Sequence, residues 1–587
     1  MNWDLKLIYE SEEAFQKDLQ FVKESINKYE EFKGTLTTAL RLEELYTFDD
    51  EVSLTIEKLF SYASMNFDLD QKNTKALERY QVVYNLYMQL VQATSFVNSE
   101  IINLGENKIL SFIEENKNLK KYTFNLKKLF NNKEHVLPAD KEHLLSYYQA
   151  ALSNYNNLYD KLAVSDNNSV IVKISTGEEL EINESNFRGY LATLKNQDDR
   201  RLVFEAIYKF YDMHKNTFAA IYQGIIQTNV AEMHARNYDS ILNLFLENNN
   251  IPNAVFLNLI EMCKENTEPI KRYYKLRKDF FKIEKLHTYD RFLELSSYAK
   301  KYSYEEAKEI LFAAIKTIGG DFEKKAHAVL ADGRVDVAIK PAKRTGAYST
   351  GTYKEGPFIL LNFNNTLDDV FTLAHEAGHS IHTMYSNESQ PSNTSNYTIF
   401  VAEVASTFNE QLLLDYLLKN SQDVNLKIVI LQNAIDGLIA TFYRQALFAD
   451  YEYQAHNLGV NNEPITWESL SSIMKNLYLK YYGIDLNEEA FKEFVWCYIP
   501  HLFHSPFYVY QYATSFASSL AIYSKVKKQE ANALDNYITL LKSGGSDYPI
   551  LLLKKAGVDL TKRDAFKAVV ERINYLVDEL AKLIKED

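Results

Sequence analysis

A mainly α-helical fold is the expectation for this 587-residue chain, and three observations carry it. Glycine and proline are scarce, at 18 and 10 residues, so few positions break regular structure. Long stretches place apolar residues three and four apart, as in EEAFQKDLQFVKESINKYEEF from Glu12 and ALERYQVVYNLYMQLVQATSFVNSEI from Ala76. The 42 tyrosines and 34 phenylalanines largely follow the same spacing, which suits packing between helices.

From Glu12 to about Leu162 the pattern predicts successive amphipathic helices, interrupted at ENKNLKK and FNNKEHVLPADKE, with no fixed repeat period. SVIVKISTGEELEINE, Ser169 to Glu184, alternates apolar and polar residues around Thr176-Gly177 and predicts a hairpin. It marks a boundary between an N-terminal helical domain, residues 1–190, and a larger domain, residues 191–587. Helices are expected again to about Lys316. Between Gly333 and Asn365, Pro341, Pro357 and four glycines exclude one continuous helix, while VDVAI and FILLNF are strand-like. A small sheet is expected there. Thr366 and Asp369 then form a capping pair that opens a new helix, and after Thr398 the chain returns to helix.

A net charge of −14 argues against a nucleic-acid partner, since phosphate binding needs a basic footprint. The N-terminus has no basic stretch followed by an apolar one, and no uninterrupted run of about 18 apolar residues occurs. The expectation is a cytoplasmic protein without a membrane partner. Cys263 and Cys497 lack CxxC spacing and suit a reducing compartment, as packing residues.

The new helix carries FTLAHEAGHSIHTMY, Phe371 to Tyr385. Residues four apart share a helix face, so His375 and His379 project to one side and can grip one metal ion. Glu376 lies about 100° around the helix, poorly placed as a ligand and well placed to reach a water held by that metal. This is the zinc metallopeptidase arrangement, in which the metal activates water and a carboxylate takes its proton. A bare HExxH also arises by chance. Here it gains weight from an apolar helix with a capped start and a strand-like segment just upstream. Gly378 costs roughly 1 kcal/mol inside a helix relative to alanine, so close packing or substrate approach should require it. A catalytic zinc needs a third protein ligand. YTIFVAEVASTFNEQLLLDYLL offers Glu403 and, seven residues on along the same face, Glu410. Spacing alone leaves both open, with Glu403 in the more apolar setting.

HEAGHSIH followed by FVAEVASTFNE resembles the thimet oligopeptidase family of zinc metallopeptidases, and within it the oligoendopeptidase F branch. WDLKLIYESEEAF, VDVAIKPAKRTGAYS, PFILLNFNNTLDDVFTLAHEAGH and IPHLFHSPFYVYQYATS extend the resemblance over nearly the whole chain. It implies one catalytic Zn2+ held by His375, His379 and Glu403, with Glu376 as general base and residues 191–587 as the catalytic domain. Glu410 then becomes a carboxylate that orients a ligand histidine. His382 is turned off the ligand face and is expected to pack or support.

The resemblance further implies that a histidine and tyrosines of HLFHSPFYVYQYATS assist the oxyanion. By position these are His501, Tyr508 and Tyr512, the two tyrosines being four apart as on one helical face. The thimet branch has glycines where this chain has Ser505, Pro506 and Phe507, which leaves His504 and Tyr510 as alternatives. The implied fold is two helical lobes walling a deep channel, with a small sheet beside the HExxH helix. Its substrates would be short unstructured peptides. KRTGAYS is expected beside the cleft, and FILLNF is a candidate sheet edge for an extended peptide. Two other readings are an HExxH exopeptidase of the dipeptidyl carboxypeptidase kind and a non-catalytic helical peptide-binding protein. No G-x-M-E-N stretch of the zinc aminopeptidases occurs.

Overall fold

A computed structural model describes residues 2–586, so the outermost limits of the expected domains, residues 1 and 587, fall outside the described residues. The protein is mainly α-helical, as its sparse glycines and prolines predict. The expected hairpin forms from β1 (Val170–Lys173) and β2 (Glu179–Ile182), paired antiparallel, with Gly177 at a φ of 88° in the turn where a side chain would be strained. The second island gives β3 (Val335–Asp336), β4 (Tyr348–Thr352) and β5 (Gly356–Leu360). β5 is the middle strand, parallel to β3 and antiparallel to β4.

That order corrects the expectation that FILLNF offers a free edge. Phe358, Ile359, Leu360 and Leu361 are all fully or nearly fully buried, and so apolar a run belongs between two partners. The edges fall to β3 and β4, and Tyr348 and Ser349 of β4 come from the preceding KRTGAYS segment. In that segment Lys343 is buried. Its ammonium pairs with Asp336 at 2.7 Å and also donates to the carbonyls of Ala338 and Leu361. Its role is to pin the loop, and the strand portion of the segment packs against the HExxH helix.

Two compact units divide the chain, each assembled from three stretches. The first comprises Met1–Lys133, Lys300–Tyr416 and Ile522–Gly557. Its N-terminal helices bury Phe15, Leu19, Val22 and Leu59 in one core with Trp3, Phe358 and Leu360, and the Trp3 indole donates to the Ile359 carbonyl at 2.8 Å. The small sheet is thereby backed by apolar packing and fastened to the chain's first residues. On it lies the HExxH helix (Leu367–Ser389), opened by a reciprocal cap in which Thr366 and Asp369 bond each other's backbone N–H.

The second unit comprises Glu134–Ala299, Leu417–Ala521 and Val558–Asp587. A cut between residues 190 and 191 falls inside it, so compactness in space and order along the chain partition the protein differently. Its longest helix runs from Val424 to Val460 through one widened turn at Ile439–Tyr443. Among the described residues it is the one helix long and apolar enough to cross a membrane by length and composition. More than half of its most apolar window is buried in the protein, and its first part packs against Asp564–Glu586, as suits a core helix.

Candidate metal centre

The first unit brings HExxH and the glutamate helix (Ile399–Asn420) together by backbone contact. A Cβ added to Gly378 would lie 2.6 Å from the Ala405 carbonyl oxygen and from Ser406 Cα, so only glycine admits this approach. The close-packing explanation for Gly378 is the one that applies. Asn409 reinforces the crossing by donating to the Ala374 carbonyl at 3.2 Å.

At the crossing, His375 Nε2, His379 Nε2 and Glu403 Oε2 form a nearly equilateral triangle. The sides are 3.1 Å between the imidazoles and 3.3 and 3.4 Å to the carboxylate. A tetrahedral ion with bonds of about 2.0–2.1 Å has ligand-to-ligand edges of roughly 3.3 Å, so these three atoms fit one such ion with a fourth position left for a substrate or water. Among the described residues they form the metal-capable group. Two imidazoles and one carboxylate are a donor set suited to zinc.

Glu403 is held in place by Ser406, whose hydroxyl donates to Oε2 at 2.7 Å. Burial alone would raise its pKa, but hydrogen bonds from His375 and His379 outweigh burial and hold the carboxyl well below its usual range. For His375 burial opposes protonation, while Glu403 and Glu410 together drive its pKa well up. Glu410 Oε1 sits 2.6 Å from His375 Nδ1, which fixes the ring and turns Nε2 toward the triangle. Glu410 thus touches the histidine's back, as a supporting carboxylate would, and Glu403 touches its front.

Glu376 is 7% exposed, and burial raises its pKa against the lowering influence of His375 and His379. A hydrogen bond from the Ser349 backbone steadies it, while the Ser349 hydroxyl meets that of Ser380 at 2.8 Å. This link to β4 was not legible in the sequence, since nothing in the composition of a strand tells which N–H faces a neighbouring helix. His382 is fully buried, stacked on Tyr397 with ring centroids 3.6 Å apart, and burial lowers its pKa to about 3. It stands apart from the triangle as a packing residue, and Tyr397 is the partner that sequence reasoning missed.

The second unit gathers His501, Tyr508 and Tyr512. Tyr512 Oη lies 3.5 Å from His501 Nε2, and the Tyr508 ring stacks near His501 and meets Tyr512 edge-on at 5.4 Å. The shared helical face expected for the tyrosines is wrong in detail. Helix Pro500–His504 ends before Ser505-Pro506, Phe507 adopts a φ of 54°, and the next helix begins only at Tyr510, so Tyr508 reaches Tyr512 from a turn. Phe507 is held there by its N–H, which donates to Glu452 Oε1 at 2.9 Å. Burial pushes the Glu452 carboxyl up to about 8. Of the alternatives, His504 pairs with Asp160 at 2.9 Å and Tyr510 is buried against Phe256.

A helical protein with paired HExxH histidines and a glutamate converging from a second helix has the architecture of a metallopeptidase. The family model described as Peptidase family M3 matches residues 190–571, and one described as Oligopeptidase F matches residues 100–167. Oligopeptidase PepF of Bacillus subtilis is 35% identical over 584 residues, 99% of this chain and 87% of that protein. Group B oligopeptidase PepB of Streptococcus agalactiae is 31% identical over 590 residues, 100% of this chain and 98% of that protein. The crystal structure of oligoendopeptidase-F from Enterococcus faecium superposes with a TM-score of 0.76 at 28% identity, covering 98% of this chain and 99% of that one. The chain belongs to peptidase family M3. It is a metalloendopeptidase that hydrolyses oligopeptides.

Proposed function

We propose that the metal is one zinc ion held by His375, His379 and Glu403, and that the enzyme cleaves short unstructured peptides within the chain in the cytoplasm. The observation that carries this reading is the triangle of three ligand atoms with sides of 3.1 to 3.4 Å. Bound there, zinc would supply Lewis acidity toward the scissile carbonyl and lower the pKa of water. Glu376, buried beside the histidines, takes the proton of the attacking water and passes it to the departing amine nitrogen. Glu410 keeps His375 in the tautomer whose Nε2 can ligate.

His501, Tyr508 and Tyr512 are assigned the stabilisation of the oxyanion, a reading supported by the resemblance and by their mutual contacts. The commitments of His504 to Asp160 and of Tyr510 to the core favour His501 and Tyr512 over them. The outer edge of β4, next to Glu376, is a place where an extended peptide can add as a strand without demanding a particular sequence. The matched segments, 100–167 and 190–571, support a sequence boundary near residue 190 between an N-terminal domain and the catalytic one.

Metal analysis of the purified protein combined with digestion of a peptide blocked at both ends tests the reading. One zinc per chain and internal cleavage are expected. A different stoichiometric metal would overturn the zinc assignment, and an uncut blocked peptide beside cleavage of its unblocked form would favour the exopeptidase.

A further inference from the structure

Far along the chain from HExxH, the second unit holds cations that lack counter-ions. A small cavity of about 20 Å³ is lined by Thr288, Arg291, Tyr274, Tyr478, Tyr482 and Lys492, among others. Lys492 is 6% exposed, and its one hydrogen-bond partner is the neutral Tyr208 hydroxyl at 2.7 Å. Its ammonium otherwise faces rings, 4.5 Å from Tyr208 and 5.9 Å from Tyr478. Among the described residues, neither Arg291 nor Arg444 has an ion pair or a guanidinium hydrogen bond. Each lies only over a phenylalanine ring, Phe292 at 4.6 Å and Phe448 at 5.2 Å.

Burial, then the repulsion of Arg291 and Arg444, pushes the Lys492 pKa well down, and burial with Arg291 lowers that of Arg444. Two carboxylates act on the group. Glu489 is already engaged, accepting from His287 Nδ1, the Thr288 N–H and the Thr288 hydroxyl, and Asp436 is shared with Arg277 and Tyr273. Burial drives the Lys492 amine toward its neutral form and leaves the partly exposed guanidiniums of Arg291 and Arg444 without an ion pair, and an anion between them would restore the ammonium and supply that pair. The cavity exceeds the roughly 10–15 Å³ that one water needs, so it takes a single small species. A water would satisfy the donors and leave the charge.

We propose that this cavity binds a small inorganic anion of the size of chloride, held by Arg291 and Lys492 with Arg444 behind them. The anion joins the turn Thr288–Phe292, the helix Trp467–Tyr482 and the turn Lys492–Trp496. Its binding therefore stabilises the second unit.

The test uses the full-length protein. Crystals soaked in sodium bromide should give an anomalous peak within hydrogen-bond reach of Arg291 and Lys492. In solution, chloride should raise the melting temperature saturably by about 1–3 °C over gluconate at equal ionic strength. Lys492→Met should abolish that rise. Should that variant fail to fold, the partly exposed Arg291→Gln serves instead. Absence of bromide from the cavity overturns the proposal, and so does a chloride response that survives unchanged in Arg291→Gln.

Discussion

The HExxH helix and the segment from Pro500 to Tyr512 both gather histidine with reactive neighbours, but by different means. The first uses two uninterrupted helices locked by a backbone contact at Gly378, so helical spacing decides which side chains meet. The second uses a short helix, a proline-containing turn and a left-handed phenylalanine, and its shape depends on one hydrogen bond to a buried carboxyl. Regular elements carry their geometry in the local sequence. Irregular ones import it from elsewhere in the fold.

The largest effect should come from breaking the regular region. His379→Ala should lose both metal and turnover, measured by metal content and peptide hydrolysis, because two remaining ligands cannot hold the ion. Glu376→Gln should retain the metal yet lower kcat by about 10²–10⁴, since on the proposed mechanism it removes the proton acceptor alone. In the irregular region, Tyr512→Phe should lower kcat by about 10²–10³ with metal content unchanged. Gly378→Ala should cost about 1–3 kcal/mol in denaturant unfolding, because its methyl meets backbone that has no rotamer with which to yield.

The smallest effect tests the carboxyl that holds Phe507. Glu452 has an ordinary value of 4.5 and is raised to about 8 in the fold, so between these limits the native state keeps a proton that the unfolded chain has lost. This contribution to stability is greatest at the acid end and declines as pH rises toward 8. Glu452→Gln should flatten that part of the melting-temperature profile, while leaving the hydrogen bond to Phe507.

What the sequence made legible follows the same division. The helical class, the hairpin, the Thr366–Asp369 cap and the common face of His375 and His379 all depend on residues near one another in the chain, where spacing determines geometry. Composition favoured Glu403 over Glu410 but left the choice open. The structure puts one at the front of His375 and the other at its back. The edge of the sheet was misassigned because apolar content identifies a strand without ordering it among its neighbours. The ring of Tyr397 on His382, the Ser349 contact to Glu376 and the cation group around Lys492 arise from tertiary packing and leave no spacing signature.

The crossing at Gly378 has a further implication for how this enzyme tolerates change. The separation of the two helices that carry the proposed ligands is set by an atom that is missing, a hydrogen where every other residue would carry carbon. A redesign that altered only polar residues around the ion would inherit its bite size unchanged. A drift of this one position would widen the triangle of His375, His379 and Glu403 while all three residues remained in place, giving a protein with an intact motif and an impaired candidate centre.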